Sequence, residues 1–251
     1  MILLINSKKD YMKKFILPFL VLLLVGCSRQ PVIEYTELEK SYIANHPVVW
    51  AVEDNYYPFV YSREGVASGI SVDYLNLISA KTGLKFVPEL DCQLEECLRW
   101  LSSGKVDMVT SVRTTPDLAK IARFSRPYIY VGSVIISSVK EPKNVGIGRG
   151  YAIKNYLINE RKDLDIIEFD NDELAVQALL AGQINSVAMD ELSAKSLRDK
   201  YYYSFLELPI PHEYPLAFAV GISDELLTSV LDKAIHSVSP EEHEEIKQKW
   251  K

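Results

Sequence analysis

From Val48 onward the apolar residues fall alternately in short runs and in helical spacings. The run Val48–Glu53 predicts a strand that ends in an acidic residue. Val72, Leu75 and Ile78 share one face of a predicted helix over Ser71–Thr82, with Gly83 as its stop. Lys85–Leu90 predicts a strand, 94–103 a helix ended by Gly104, and Val106–Val112 the next strand. Thr115-Pro116-Asp117 supplies a hydroxyl cap, a first-turn proline and an acid, the start of a short helix. A second set follows strand Ser133–Ser137 and the polar segment Ser138–Asn144. It comprises strand Val145–Gly148, helix Ala152–Asn159, strand Asp165–Phe169, helix Asp172–Ala181 and strand Ser186–Asp190. Leu208–Pro215 carries three prolines and reads as a second crossing, after which Leu216–Gly221 is again a strand. Leu227, Val230, Leu231, Ala234, Ile235 and Val238 line one helix face, and Ser239-Pro240-Glu241-Glu242 is a capping box that opens another helix.

This rhythm, run twice, predicts mainly parallel sheets in an α/β protein of two lobes. The expected division is 37–137 plus 216–251 for the first lobe and 142–208 for the second. The hinges are expected near 137–143 and 208–215.

The amino terminus reads as an address. Lys13 and Lys14 precede an apolar stretch from Phe15 to Val25, too short to cross a bilayer comfortably but suited to a secretory signal. Leu24-Val25-Gly26-Cys27 resembles the processing site of bacterial lipoproteins. That resemblance implies a signal peptide over 1–26, with Met12 as the expected true start, and fatty acylation (palmitate) of Cys27. It implies a tether over 27–36 and a periplasmic protein held to a bacterial membrane. Ser28 points to the outer membrane in a Gram-negative cell. An amino-terminal anchor helix with a chance cysteine is the alternative.

Composition sharpens this picture. With 48% hydrophobic and 25% charged residues the chain is globular, and its net charge of −6 argues against nucleic-acid binding. Removing 1–26 takes away four lysines and Asp10, which moves the remainder from −6 to −9. Cys92 and Cys97 are then a pair in an oxidising compartment. On one continuous helix they would sit roughly 7.5 Å apart along the axis, too far to bridge. A helix that starts near Leu94 leaves Cys92 free to fold back, and a disulfide is expected; two free thiols is the alternative.

A family is visible in the order and spacing of several segments. They are Leu38-Glu39-Lys40, His46-Pro47-Val48, Tyr57-Pro58-Phe59, Gly69-Ile70-Ser71-Val72-Asp73-Tyr74-Leu75, Gly104-Lys105-Val106-Asp107-Met108, Phe124-Ser125-Arg126-Pro127-Tyr128, Ser239-Pro240-Glu241-Glu242 and Lys249-Trp250. Together they resemble type 2 periplasmic solute-binding proteins (bacterial extracellular solute-binding proteins, family 3), in particular the periplasmic sensor modules of BvgS-type histidine kinases. The resemblance runs from Glu37 to Lys251. It implies a two-lobed clamshell that closes over a small polar solute, amino-acid-like or carboxylate, for an ABC permease or a sensor partner.

The resemblance also implies site residues. Tyr56 matches a cleft aromatic and Glu53 a polar pocket position just before it. Ser111 and Arg113 end the Val106–Val112 strand, and Arg113 stands where relatives often carry a hydroxyl. The usual clamp arginine is replaced by Leu118, so the carboxylate grip is expected to rest on Arg113. Arg149, Gly150 and Tyr151 match a turn that presents helix-start amides to an anion. Asp190 matches an aspartate that holds an amino group. The glycines of Gly146–Gly150 do not make a dinucleotide fingerprint, because Tyr151 takes the third glycine position.

Enzyme readings are weak, since there is no nucleophile elbow or metal-ligand spacing and the four histidines are scattered. No catalysis, cofactor or metal is expected, and a monomer is. The chain ends directly after the last helix of the resemblance, so no appended lyase domain is expected. A small dehydratase on the same fold, or a degenerate receptor for a protein partner, is the alternative function.

Overall fold

The structure, a computed structural model, describes residues 33–250. The expected signal peptide, Cys27 and the tether up to residue 32 lie outside the described residues. The first element is α1 (Glu37–Asn45), opened by a capping box between Thr36 and Glu39. It is followed by β1 (Val48–Glu53), the short hairpin β2 (Tyr61–Arg63) and β3 (Val66–Ser68), and α2 (Ile70–Thr82). Next come β4 (Phe86–Cys92), α3 (Leu94–Ser103), β5 (Met108–Val112), β6 (Ala122–Phe124) and β7 (Ile129–Ser137). The second set is β8 (Asn144–Gly148), α4 (Ile153–Glu160), β9 (Asp165–Phe169), α5 (Asp172–Leu180), β10 (Ser186–Asp190) and α6 (Glu191–Tyr201). The chain closes with β11 (Leu206–Gly221), α7 (Glu225–His236) and α8 (Pro240–Lys249). Gly83 and Gly104 end α2 and α3 in the left-handed region, where a residue without Cβ sits without strain.

The strands run side by side in the order β4-β1-β5-β11-β7-β10-β8-β9, with β6 pairing against β11. The two flanks are parallel, β4-β1-β5 on one side and β10-β8-β9 on the other. Between them β11 and β7 are antiparallel to each other and to their neighbours. The result is two α/β lobes stitched by two long strands. In one lobe α2 and α7 bury Tyr74, Ile78 and Leu231 with Phe59, Tyr128 and Phe218. In the other, Ala175, Val176 and Leu179 of α5 pack on Val134, Ile136 and Val187.

Four segments differ from the sequence reading. Thr115–Asp117 opens only a single tight turn, Leu118–Lys120, whose Leu118 amide donates to Thr115 Oγ1 at 3.2 Å. The strand expected at Ser133–Ser137 begins at Ile129, and the proline-rich stretch 208–215 is itself strand, with a register shift between Ile210 and Glu213. The segment 138–143 is not a crossing. It joins β7 to β8, and both of these strands pair with β10. The chain passes between lobes inside β7, where Ile129–Gly132 pairs with β11 alone and Ser133–Ser137 pairs with β10 as well.

Cys92 ends β4 and Cys97 lies in the first turn of α3. The two are bonded with their Cα atoms 5.5 Å apart. Asp91 holds a left-handed φ of 69°, which turns the strand back onto the helix start.

Candidate functional site

The parallel strands of both lobes point their carboxyl ends at a shared cleft, the place where open α/β sheets present polar side chains. From the first lobe β1 delivers Glu53, the loop after it delivers Tyr56, and β5 delivers Ser111 and Arg113. From the second, the turn after β8 delivers Gly150 and Tyr151, and β10 delivers Asp190. A cavity of about 30 Å³ lies among Tyr56, Ser111, Arg113, Gly150, Tyr151 and Asp190.

Ser111 is buried and left-handed, with φ of 60°, an uncommon conformation for a side-chain-bearing residue. It is held there on several sides. Its amide donates to Tyr128 Oη at 3.0 Å, and its hydroxyl lies 2.6 Å from that of Ser71. The kink coincides with a register shift against β11, after which Val112 still pairs with Ala217 and Arg113 follows at the cleft.

Arg113 forms an ion pair with Asp190, both side chains being nearly buried. It also donates to Ser133 Oγ at 3.0 Å, and its guanidinium lies 4.2 Å from the centre of the Tyr214 ring. Asp190 accepts from Tyr56 Oη at 2.5 Å and from Ser133 Oγ at 3.3 Å. A planar guanidinium and a carboxylate from opposite lobes are thus each held in place by hydroxyls and a ring.

Behind this pair lies a second charged layer. Tyr151 donates to Glu53 Oε1 at 2.8 Å across the cleft, while Glu53 Oε2 finds no hydrogen-bond partner among the described residues. Asp172, in the first turn of α5, is also buried, lies beside the Gly148 amide, and among the described residues has no side-chain hydrogen-bond partner. Burial pushes Glu53 up to about 8, with the Tyr151 bond opposing and the Asp172 charge adding to the rise. Burial likewise pushes Asp172 up to about 7, against the Gly148 amide and the Arg113 charge. Tyr56 and Tyr151 are raised by burial, and Arg113 is lowered by it although the acidic and phenolic groups around it oppose the shift.

Of the residues singled out in the sequence, Glu53, Tyr56, Ser111, Arg113, Gly150, Tyr151 and Asp190 come together. Arg149 does not join them. Its side chain pairs with Asp170 at 2.9 Å, nearly half exposed, and faces a different depression. Two of the three turn amides are also already spent, Arg149 on the carbonyl of Phe169 at the end of β9 and Tyr151 on that of Gly148. Leu118 reaches the cleft wall, half-buried, where it lines the same cavity as Arg113.

Sequence reasoning missed Asp172, Ser133 and Tyr214. Asp172 follows the cap residue Asn171 and reads as an ordinary first-turn acid. Its one distinguishing signal is Gly148, whose lack of a side chain lets Asp172 and Tyr151 close over it. Among the described residues no cluster of His, Cys, Asp and Glu could hold a metal ion, and no helix is long and apolar enough to cross a membrane.

Known proteins resemble this chain over most of its length. The virulence sensor protein BvgS of Bordetella bronchiseptica is 30% identical over 236 residues, covering 86% of this chain and 19% of the sensor. This chain thus spans about a fifth of that relative's length. The crystal structure of the BvgS periplasmic VFT2 domain of Bordetella pertussis superposes with a TM-score of 0.78 at 27% identity, covering 87% of this chain and 99% of that one. The L-cystine-binding protein TcyJ of Escherichia coli is 24% identical over 162 residues, 59% of this chain and 60% of that protein. With residues 48–251 matching the sequence pattern of the bacterial extracellular solute-binding proteins, family 3, the chain belongs to that family.

Proposed function

We propose that this protein captures a small zwitterionic or carboxylate-bearing solute between its lobes and is not an enzyme. The observation that carries the reading is the meeting of Arg113 and Asp190 in a buried cleft, one from each lobe. A zwitterion fits between them by exchange: its carboxylate takes the place of Asp190 on Arg113, and its ammonium takes the place of Arg113 on Asp190. The cavity of about 30 Å³ has room for roughly one water, so a solute enters only when the pair is drawn apart. Tyr56 then packs its ring on the solute while its hydroxyl keeps Asp190 oriented.

Closure follows from the chain path. The lobes separate by flexing β7 near Gly132 and β11 near the irregularity at Ile210–Glu213, and a solute that bridges both lobes shifts the equilibrium toward the closed form. The lobes divide as 37–131 with 214–251, and 133–210. A lipid anchor at Cys27 would hold the protein at a bacterial membrane, in the periplasm. The similarity to sensor modules favours a signalling partner, and that to a cystine-binding protein favours an ABC permease; the same closure serves both.

The test is a thermal-shift screen of L-amino acids and short carboxylates, followed by calorimetry and small-angle scattering on each hit. The expected result is a saturable ligand that compacts the protein and that Arg113→Ala no longer binds. Binding without compaction, or binding indifferent to Arg113, overturns the reading.

A further inference from the structure

The cleft cavity carries charge only at the Arg113–Asp190 pair. Among the described residues that line it, no other is charged. Its remaining polar side chains are already engaged, Ser111 with Ser71, Tyr56 with Asp190 and Tyr151 with Glu53. The buried acids of the layer behind, Glu53 and Asp172, do not line it.

The rest of the wall is apolar. Leu94 and Leu118 come from the first lobe, and Ala152 and Ile153 from the start of α4 in the second. Leu94 is buried and fixed, since it is the first residue of α3 and lies between the bonded Cys92 and Cys97. Leu118 is half-buried and packs on the core cluster that contains Cys97 and Val112. The second-lobe turn closes onto Leu94, because a Cβ at Gly150 would lie 3.5 Å from its Cδ2. Glu95, the next residue, is exposed and lines the separate depression that holds Arg149 and Asp170.

A pocket of this kind orients its ligand with a few polar groups and selects it with its apolar wall. A solute that spends its carboxylate on Arg113 and its ammonium on Asp190 leaves its side chain to the leucines. A third charge there would lose its water and meet no partner, which is costly. An apolar side chain loses nothing and gains contact with both lobes.

We propose that the solute of the main cleft is an α-amino acid with an uncharged, apolar side chain, and that Leu94 and Leu118 select it. The inference rests on the reading of Arg113 and Asp190 given above. The side chain enters between Leu94 and the Gly150 turn while the lobes are apart, and the turn covers it on closure.

The experiment is calorimetry on the parent and on Leu94→Ala, Leu118→Ala and Arg113→Ala. The apolar probes are L-leucine, L-methionine and L-phenylalanine. They are compared with L-alanine, with L-lysine, L-arginine, L-aspartate and L-glutamate, and with 4-methylpentanoate, which is leucine without its ammonium. At least one apolar probe should bind, about tenfold or more tighter than L-alanine and than every charged amino acid. Each leucine variant should narrow the preference over L-alanine about threefold or more, a ratio that a mere loss of folded protein does not move. Arg113→Ala should abolish binding. If a charged amino acid, or only 4-methylpentanoate, binds through Arg113, the proposal fails while the reading of the pair stands. An unchanged ratio in both leucine variants also overturns it. If no probe depends on Arg113, the reading of the pair falls and the proposal falls with it.

Discussion

Arg113 directly follows a strand of the first lobe and Asp190 ends a strand of the second, and their charged groups meet as a buried ion pair with Ser133 Oγ hydrogen-bonded to both. Each buried charge is compensated by the other, so the pair fastens the closed lobes and is also the place a zwitterion must occupy. Removing one partner leaves the other buried and unpaired. Arg113→Ala should therefore cost roughly 2–5 kcal/mol of solute binding, more than tenfold in affinity. Asp190→Asn should weaken an ammonium-bearing solute while sparing a plain carboxylate. Calorimetry that gives the parent's dissociation constant for Arg113→Ala would show that the guanidinium does not touch the solute.

The buried acids set a pH dependence whose sign is fixed. Glu53 and Asp172 ordinarily titrate at 4.5 and 3.8 and are raised by burial to about 8 and about 7. Between these limits the folded chain holds protons that the unfolded chain has released. The stabilising contribution is therefore complete below the ordinary values and is lost as pH rises through the raised ones. Urea unfolding should show stability falling from about pH 5 to about pH 8, by at most about 1.4 kcal/mol per pH unit for each carboxyl. The variant Glu53→Gln/Asp172→Asn should flatten that slope. An equal slope in the variant would show that the two acids do not govern it.

The Cys92–Cys97 bond closes a very short loop, which limits how much disorder it removes from the unfolded chain. Reducing it should lower stability by roughly 1–3 kcal/mol, below what long-loop bridges give. Both thiols should resist alkylation in protein taken from the periplasm until a reductant is added. Ready labelling of folded, unreduced protein would contradict the bond.

Leu118 lines the cleft a few residues beyond Arg113, at the position where the family resemblance leads one to expect a clamp arginine. A second guanidinium there adds a grip on an α-carboxylate from another angle. Leu118→Arg should broaden recognition toward ordinary α-amino acids in a thermal-shift panel. A panel unchanged from the parent, with the variant folded, would mean that the side chain turns to solvent.

The alternation of strands and helices was legible because β1 and β5 are short, almost wholly buried runs, whereas the α7 run from Leu227 to Ile235 buries one face at the helical period. Caps carried equal information: Ser239 and Glu242 make the capping box that their spacing announces. What escaped was structure fixed by distant partners. The small strands β2, β3 and β6 have three residues each, too few for any period to show. The three prolines of 208–215 suggested a break, but only Pro209 and Pro215 face β7 in register, and the ladder absorbs the third by shifting between Ile210 and Glu213. The cleft residues at strand ends could be read from position, since a charged residue that ends an apolar strand faces the cleft. Asp172 could not, because it is set against Gly148 and the Tyr151 ring, which belong to a different strand and turn.

Gly148 is where these layers can be tested together. A Cβ built there would lie 2.7 Å from the Tyr151 ring and 2.9 Å from Asp172 Oδ1, closer than real contacts allow. The Tyr151 ring has little room to retreat, since it packs 5.1 Å from that of Tyr56 and donates to Glu53. Gly148→Ala should therefore push the ring aside, break the bond to Glu53 and leave that buried carboxyl without its hydrogen-bond partner. The expected cost is about 1–3 kcal/mol of stability, from overpacking and the lost hydrogen bond together. Overpacking that acts through this ring disappears when the ring does. In a double-mutant cycle Gly148→Ala should be far less harmful on a Tyr151→Ser background, with a coupling energy of about 1 kcal/mol or more. Additive effects in denaturant unfolding would place the strain elsewhere and detach Gly148 from the cleft.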